Sequence, residues 1–205
     1  MEIVTIRNVV FDIGNVLVKW SPEEIIRKTF GEEADTEKLI EKIFRNECWI
    51  ALNKGELSEE SAKQKYQRIL DVKSEIIDEL FYQIKDTQKP VEGTVDLLHR
   101  LSSSGYMLYA LTDNVIEIVQ YLKERYTFWE YFVGTVVSAE VNCMKPNPEI
   151  FLHLLDEYNI LPDETVFIDD HMPNVESANN LGIHVVHFKD ANECEQELKE
   201  LGLVF

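Results

Sequence analysis

The chain has 205 residues, 45% of them hydrophobic and 28% charged, with a formal net charge of −18. That is ordinary globular composition for one domain or a core with an insertion, and its sign opposes binding to nucleic acid or an anionic membrane surface. No apolar stretch is long enough to cross a bilayer, and three widely spaced cysteines (Cys48, Cys143 and Cys194) argue against a disulfide framework or a zinc cluster. The amino terminus lacks the basic, apolar, then small-residue pattern of a signal peptide. Together with ordinary thiols, this gives the expectation of a reducing, cytoplasmic location.

In chain order, residues 7 to 12 read as a buried strand, because Val9, Val10 and Phe11 form an apolar run ending at Asp12. From Ser21 to about Lys85 the pattern is helical. Ser21-Pro22-Glu23-Glu24 is a helix start, with a capping serine, proline at the first position and acids in the first turn. Leu39, Ile40, Ile43 and Phe44 recur at helical spacing. Ser58-Glu59-Glu60 opens another helix, and Ile76 through Ile84 mark a further one before Lys89-Pro90 closes the segment. Beyond it, helices are expected over 91–104, 115–125, 148–158 and 175–181. Strands are expected over 106–111, 133–138, 165–168 and 183–188. Strands alternating with helices imply an α/β fold with a Rossmann-like parallel sheet and right-handed crossovers. The early helical block is then an insertion. The predicted organisation is a core of residues 1–18 and 89–205 and an all-helical cap of residues 19–88. The segment Lys19–Asp86 is nearly balanced in charge, so most of the acid excess lies in the remainder. A carboxylate site there needs a divalent cation before an anionic substrate can approach.

Polar residues stand at three strand ends and ahead of one helix: Asp12; Thr112-Asp113-Asn114; Lys145-Pro146; and Asp169-Asp170. Singly, each has an ordinary reading as a cap, a turn or a solvated surface group. Together they fall at the carboxyl ends of successive parallel strands, where open α/β sheets place their ligands. The set suits phosphoryl transfer. A carboxylate can attack phosphorus, hard oxygen ligands suit Mg²⁺, and a hydroxyl, backbone N–H groups and a lysine can hold the phosphoryl group.

These residues resemble the four ordered motifs of the haloacid dehalogenase-like hydrolase superfamily. Asp12 to Val16 matches the first, Thr112 the second, Lys145 the third and Asp169-Asp170 the fourth. Lys145-Pro146-Asn147-Pro148-Glu149-Ile150-Phe151 and Asp169-Asp170-His171-Met172-Pro173-Asn174 extend the match. So does Ala178-Asn179-Asn180-Leu181-Gly182-Ile183. The resemblance implies Asp12 as nucleophile and Mg²⁺ held by Asp12, the backbone carbonyl of Gly14 and Asp169. It implies phosphate binding by Thr112, Asp113, Asn114 and Lys145, with Asp170 in support and Asn174 ordering the loop after it. The substrate expected is a small phosphorylated metabolite. Asp12-Ile13-Gly14-Asn15-Val16 is similar to a bacterial branch of sugar-phosphate phosphatases active on glucose 1-phosphate.

Gly14 departs from the family's usual pattern, in which an acid two positions after the nucleophile protonates the leaving group. That acid typically contributes ~10²–10⁴-fold. Either the leaving group departs readily, or another acid (His171, Glu47 or Glu56) takes over, or the protein binds phosphate with little turnover. A 2-haloacid dehalogenase is the other enzymatic alternative, since those enzymes also lack the second acid. Two adjacent acids after the fourth strand favour a metal and therefore phosphate. Trp20, Trp49 and Asn53 stand where a substrate entrance would be, although packing is the expected role of such aromatics. The aromatic run Tyr126–Phe132 is expected in the core. His99, His153, His184 and His187 show no ligand spacing. A monomer or a homodimer fits the sequence, and a dimer contact through that aromatic run is the minority reading.

Overall fold

The computed structural model describes residues 5–205; residues 1–4, including the start of the amino terminus read above, lie outside them. Five strands form one parallel sheet: β1 (Asn8–Phe11), β2 (Met107–Thr112), β3 (Phe132–Val137), β4 (Thr165–Asp169) and β5 (His184–His187), in the order β3-β2-β1-β4-β5. The order reverses direction on either side of β1, so β1 has β2 on one flank and β4 on the other. This puts the carboxyl ends of β1, β2 and β4 side by side, at the switch point where doubly wound sheets bind ligands.

Alternation along each strand divides the core in two. Val9, Phe11, Leu108, Ala110, Val166 and Ile168 bury on one face. Val10, Tyr109, Leu111, Val136 and Phe167 bury on the other. The second face is covered by α9 (Pro148–Tyr158) and α10 (Met172–Asn180), whose Ile150, Phe151, Leu154 and Ala178 pack there. The first is covered by α6 (Thr94–Ser103), α7 (Ile116–Arg125) and α11 (Ala191–Glu200). A sheet buried on both faces explains why its strands read as continuous apolar runs. Phe128 and Trp129, in a 3-10 turn between α7 and β3, are buried in this core as expected.

Between β1 and α6 the chain is helical: α1 (Pro22–Phe30), α2 (Thr36–Ile43), α3 (Glu47–Asn53), α4 (Glu59–Leu70) and α5 (Ser74–Asp86). The foreseen caps are made. Ser21 Oγ accepts from the Glu24 N–H at 3.2 Å, and Ser58 Oγ from the Ser61 N–H at 3.3 Å. Ile25, Ile26, Leu80, Phe81 and Ile84 bury between α1 and α5, and the Tyr66 hydroxyl donates to the Ile43 carbonyl at 2.7 Å. The two connections to this block run side by side. Lys19 N–H donates to Lys89 O at 2.8 Å, and Val91 N–H to Leu17 O at 2.9 Å. Entry and exit are therefore stitched together. Among the described residues, no helix is long and apolar enough to cross a membrane.

Two helices go beyond the sequence expectation, and a third is not singled out within the segment read as helical. The first two are α11 and the single turn α8 (Ser138–Val141) that follows β3 directly; the third is α3. The expected helix at 91–104 starts later, at Thr94, because Gly93 takes a left-handed φ of 83° and breaks the turn before it.

Candidate active site

Lys145 organises the rim. It precedes α9 rather than ending a strand, and its ammonium reaches back under the sheet edge. Nζ lies 2.9 Å from Asp12 Oδ1 and 2.7 Å from Asp169 Oδ2, and donates to the Leu111 carbonyl at 3.1 Å. The Lys145 side chain is 1% exposed and that of Asp169 is wholly buried. A buried lysine needs such partners, since an unpaired charge there would be costly. Burial opposes the charged ammonium, but Asp12, Asp169 and Asp113 together outweigh it and raise the Lys145 pKa. Burial pushes the Asp12 carboxyl up to about 7, against the pull of Lys145 and helped by the nearby charge of Asp169.

Asp12 sits immediately after β1, its N–H bonded to the Ile168 carbonyl at 2.9 Å. Asp169 ends β4 and is held from several sides. The His171 N–H donates to Oδ1 at 2.7 Å, and Asn174 Nδ2 donates to Oδ1 at 3.2 Å and Oδ2 at 3.0 Å. Asn174 thus fixes the carboxylate itself as well as the start of α10. Asp113 accepts from the Lys145 N–H at 3.0 Å and ties the turn after β2 to the lysine. Burial raises the Asp113 and Asp170 carboxyls. Thr112 is buried at the end of β2.

The donor set fits a hard divalent cation. Asp12, Asp169 and Asp170 each offer a carboxylate oxygen, and these lie within 4.8 Å of one another. Asp170 therefore stands with the other two rather than behind them. Asn174 Oδ1 is buried beside this cluster with no hydrogen-bond partner, an acceptor suited to the hydration shell that Mg²⁺ commonly keeps. A cation here would also favour the charged forms of the buried carboxyls.

Above the cluster opens a cavity of about 360 Å³. Asp12, Gly14, Asp113, Asn114, Lys145, Asp170, His171 and Asn174 line it, together with Asn15, Trp20, Trp49, Asn53, Gln88 and Met144. Trp20 and Trp49 are stacked, with ring centroids 5.7 Å apart at 13°, and Phe44 packs edge-on against both. The tryptophans pack and line the cavity at once, so packing and entrance are not alternatives here. A wall of aromatic faces with a few amides is a common build for small-molecule sites.

Two expectations need correction. The Asn114 N–H does not point free at the site: it donates to Ser138 Oγ at 2.9 Å, which α8 places beneath it. Glu47 and Glu56 do not line this cavity. They border a separate groove of about 910 Å³ on the helical block with Lys42, Cys48 and Lys65. Of the three replacement acids considered, the structure brings only His171 to the site. Asn15 was missed altogether. It takes a left-handed φ of 54°, a conformation that asparagine tolerates better than most residues, and that preference is the signal a sequence reading could have used.

The haloacid dehalogenase-like hydrolase family model matches residues 6–182. The chain is 26% identical over 200 residues to a sesquiterpene phosphatase of Aspergillus oryzae, covering 96% of this chain and 97% of the relative. It is 22% identical to a D-ribitol-5-phosphate phosphatase of Bacteroides thetaiotaomicron, covering 94% and 97%. Its fold is similar to that of a HAD family enzyme from the same bacterium, solved with magnesium and inorganic phosphate. That match has a TM-score of 0.77 and 25% identity, over 90% of this chain and 95% of the other.

Proposed function

Since the chain belongs to the haloacid dehalogenase-like hydrolase family, we propose that it is a magnesium-dependent phosphatase of a small phosphorylated metabolite, a sugar phosphate such as glucose 1-phosphate. The observation that carries this reading is the bridge of Lys145 between Asp12 and Asp169, with Asp170 completing an acidic cluster below the cavity. The relatives named above act on a sesquiterpene and on D-ribitol 5-phosphate by name, and supply the class but not the metabolite.

In this reading residues 1–18 and 89–205 are the catalytic core and residues 19–88 the cap. Asp12 attacks phosphorus, the bond from phosphorus to the leaving oxygen breaks, and an aspartyl-phosphate forms on Asp12. Water then cleaves it, returning the carboxylate and releasing inorganic phosphate. The turn Asp113-Asn114 lines the cavity and faces the phosphoryl group, with Thr112, which does not itself line the cavity, buried immediately before it. Asp113 acts through the Lys145 backbone, and Lys145 offsets the charge of the carboxylates and the phosphate. Asp12, the Gly14 carbonyl and Asp169, with Asp170 beside them, would hold magnesium, whose charge would neutralise phosphate oxygens. The helical block closes the site to bulk water and presents Trp20, Trp49 and Asn53 to the leaving group.

Gly14 leaves the leaving oxygen without the family's usual acid. Among the described residues, no acid of the helical block lines the cavity. That favours a leaving group that departs with little help, and an anomeric oxygen leaves more easily than an ordinary alcohol.

The test is phosphate release from a panel of phosphorylated metabolites, with and without Mg²⁺. Release that needs Mg²⁺ and disappears in Asp12→Asn is the expected result. Halide release from a 2-haloacid that survives chelation would replace this reading by a dehalogenase. Tight phosphate binding without release would replace it by a binding domain.

A further inference from the structure

We propose that Asn15 is a positioning residue that couples metal binding to the wall of the substrate cavity. Its side chain uses both ends. Nδ2 donates to Asp170 Oδ2 at 3.1 Å, and Oδ1 accepts from the Trp20 N–H at 2.9 Å. One amide therefore joins a carboxylate of the metal cluster to the backbone of a residue stacked into the leaving-group wall. The inference rests on the magnesium site of the proposed function.

The surroundings make this link stiff. Asn15 stands in a tight turn after Asp12, in which the Leu17 and Val18 N–H groups both donate to the Ile13 carbonyl, at 2.9 and 3.0 Å. Its own N–H donates to the Val18 carbonyl at 2.7 Å. The backbone is thereby held, and the side chain is left to span two loops. On one side, Asp170 follows Asp169, which is clamped by Lys145, Asn174 and the His171 N–H. On the other, Trp20 follows the paired connections at Lys19 and Lys89 where the helical block departs. An acceptor drawn from Nδ2 toward a cation changes how Asn15 holds Asp170, and the same rigid amide carries Trp20. Cation arrival is thus reported to the surface that meets the leaving group, and substrate seated against Trp20 stabilises Asp170 in return, as linkage requires.

The experiment uses the full chain and Mg²⁺ alone as the probe. Tryptophan emission is followed through a MgCl₂ titration, with calorimetry in parallel, for the wild type, Asn15→Gly, Asn15→Asp and Trp20→Phe. Glycine accepts the left-handed backbone but has neither hydrogen bond. Aspartate keeps the acceptor for the Trp20 N–H and replaces the donor to Asp170 with a like charge. The wild type is expected to change emission with Mg²⁺, and Trp20→Phe to lose that change. Asn15→Gly is expected to bind Mg²⁺ within ~10-fold of the wild type, as loss of one or two polar bonds implies, but without the emission response. Asn15→Asp keeps wild-type emission before Mg²⁺ and lacks the response. In turnover, Asn15→Gly raises KM for a sugar phosphate ~10-fold with kcat nearly unchanged.

An Asn15→Gly protein with the wild-type emission response and KM overturns the proposal. So does a wild type whose emission ignores bound Mg²⁺, or an Asn15→Gly protein that no longer binds Mg²⁺ at all, which would make the residue a prop of the metal site only. Should the wild type give the emission response but release no phosphate, the coupling stands and the phosphatase reading fails. Circular dichroism melts of each variant separate these outcomes from unfolding.

Discussion

The hydroxyl of Ser138 donates to the carbonyl oxygen of Asn53 at 2.6 Å while accepting the N–H of Asn114 at 2.9 Å. One fully buried side chain thus joins the turn after β2 to the tip of α3, itself standing 85 positions along the chain from Asn53. The contact is tight. A Cβ on Gly55 would come within 2.0 Å of the Ala139 carbonyl, and Asn142 Nδ2 donates to Lys54 O at 2.7 Å. Replacing Ser138 by alanine leaves a buried N–H and a buried carbonyl without this partner. The expected cost is ~1–3 kcal/mol of stability, read from urea denaturation, with a rise in KM as Asn53 loses its anchor. A Ser138→Ala protein with unchanged midpoint and unchanged KM would show that the helical block is held elsewhere.

Lys145 carries the electrostatics of the rim. Without it, Asp12 and Asp169 face each other in a buried site with no cation between them. Breaking a buried pair typically costs ~3–5 kcal/mol, and Lys145→Ala is expected to lie in that range without metal. Mg²⁺ supplies part of the missing charge, so it should raise the melting temperature of the variant more than that of the wild type. Phosphate release is expected to fall at least ~10²-fold, the scale of losing one preorganised charge at a phosphoryl group. Thermal melts with and without Mg²⁺, beside a phosphate assay, check both.

Most of the sheet and most of the rim were legible because they obey local rules. Apolar runs ending in Asp12, Thr112 and Asp169 mark buried parallel strands, and residues at such ends converge whatever the loops do. Ser21 and Ser58 announced their helices through caps within four residues. The features that escaped depend on distant partners or short signals. Helix α3 has seven residues, and its cap is Asn46, whose Oδ1 accepts the Cys48 N–H at 2.7 Å. The capture of the Asn114 N–H by Ser138 could not be read from either residue, since α8 is a single turn placed by β3. Glu47 and Glu56 were close enough in sequence to Trp49 and Asn53 to suggest the cavity. However, Glu47 lies two positions from Trp49 on α3, a spacing that turns side chains to different faces, and Glu56 lies beyond the end of that helix; both border the outer groove.

Helix α11 also escaped, although Asp190 caps it by accepting the Asn192 and Glu193 N–H groups at 2.8 and 3.0 Å. It is pinned to α6 by Glu195, whose two oxygens accept from Arg100 at 3.0 and 2.5 Å, with Lys199 donating at 2.6 Å. The Arg100 and Lys199 bonds lower the Glu195 pKa from 4.5 to about 2. A carboxyl whose pKa is depressed by folding stabilises the fold above its unfolded value and loses that effect as pH falls through the folded value. The melting-temperature gap between wild type and Glu195→Gln should therefore be constant at neutral pH and shrink between about pH 4.5 and pH 2. A gap that persists at pH 2 would mean that the glutamate acts through packing.

Gly14 is where chemistry departs most from the family's usual pattern, and the backbone does not require glycine there. Its φ lies outside the left-handed region, and a Cβ would meet only Trp20 Cβ, at an ordinary 3.9 Å. An aspartate therefore fits without strain, at the edge of the cavity where a leaving oxygen would lie. If the native enzyme relies on leaving groups that need no proton, kcat/KM should fall steeply across monoesters of decreasing leaving-group acidity. Gly14→Asp should flatten that dependence, raising kcat/KM for alkyl monoesters ~10²-fold and changing aryl monoesters much less, because a general acid helps most where the leaving oxygen is most basic. The proposed ligand at this position is a backbone carbonyl, which the substitution keeps, so Mg²⁺ affinity measured by calorimetry should persist. Loss of Mg²⁺ in the variant would remove the Gly14 carbonyl from the ligand set. Equal slopes in the two proteins would place the proton donor elsewhere, with His171 the next residue to substitute.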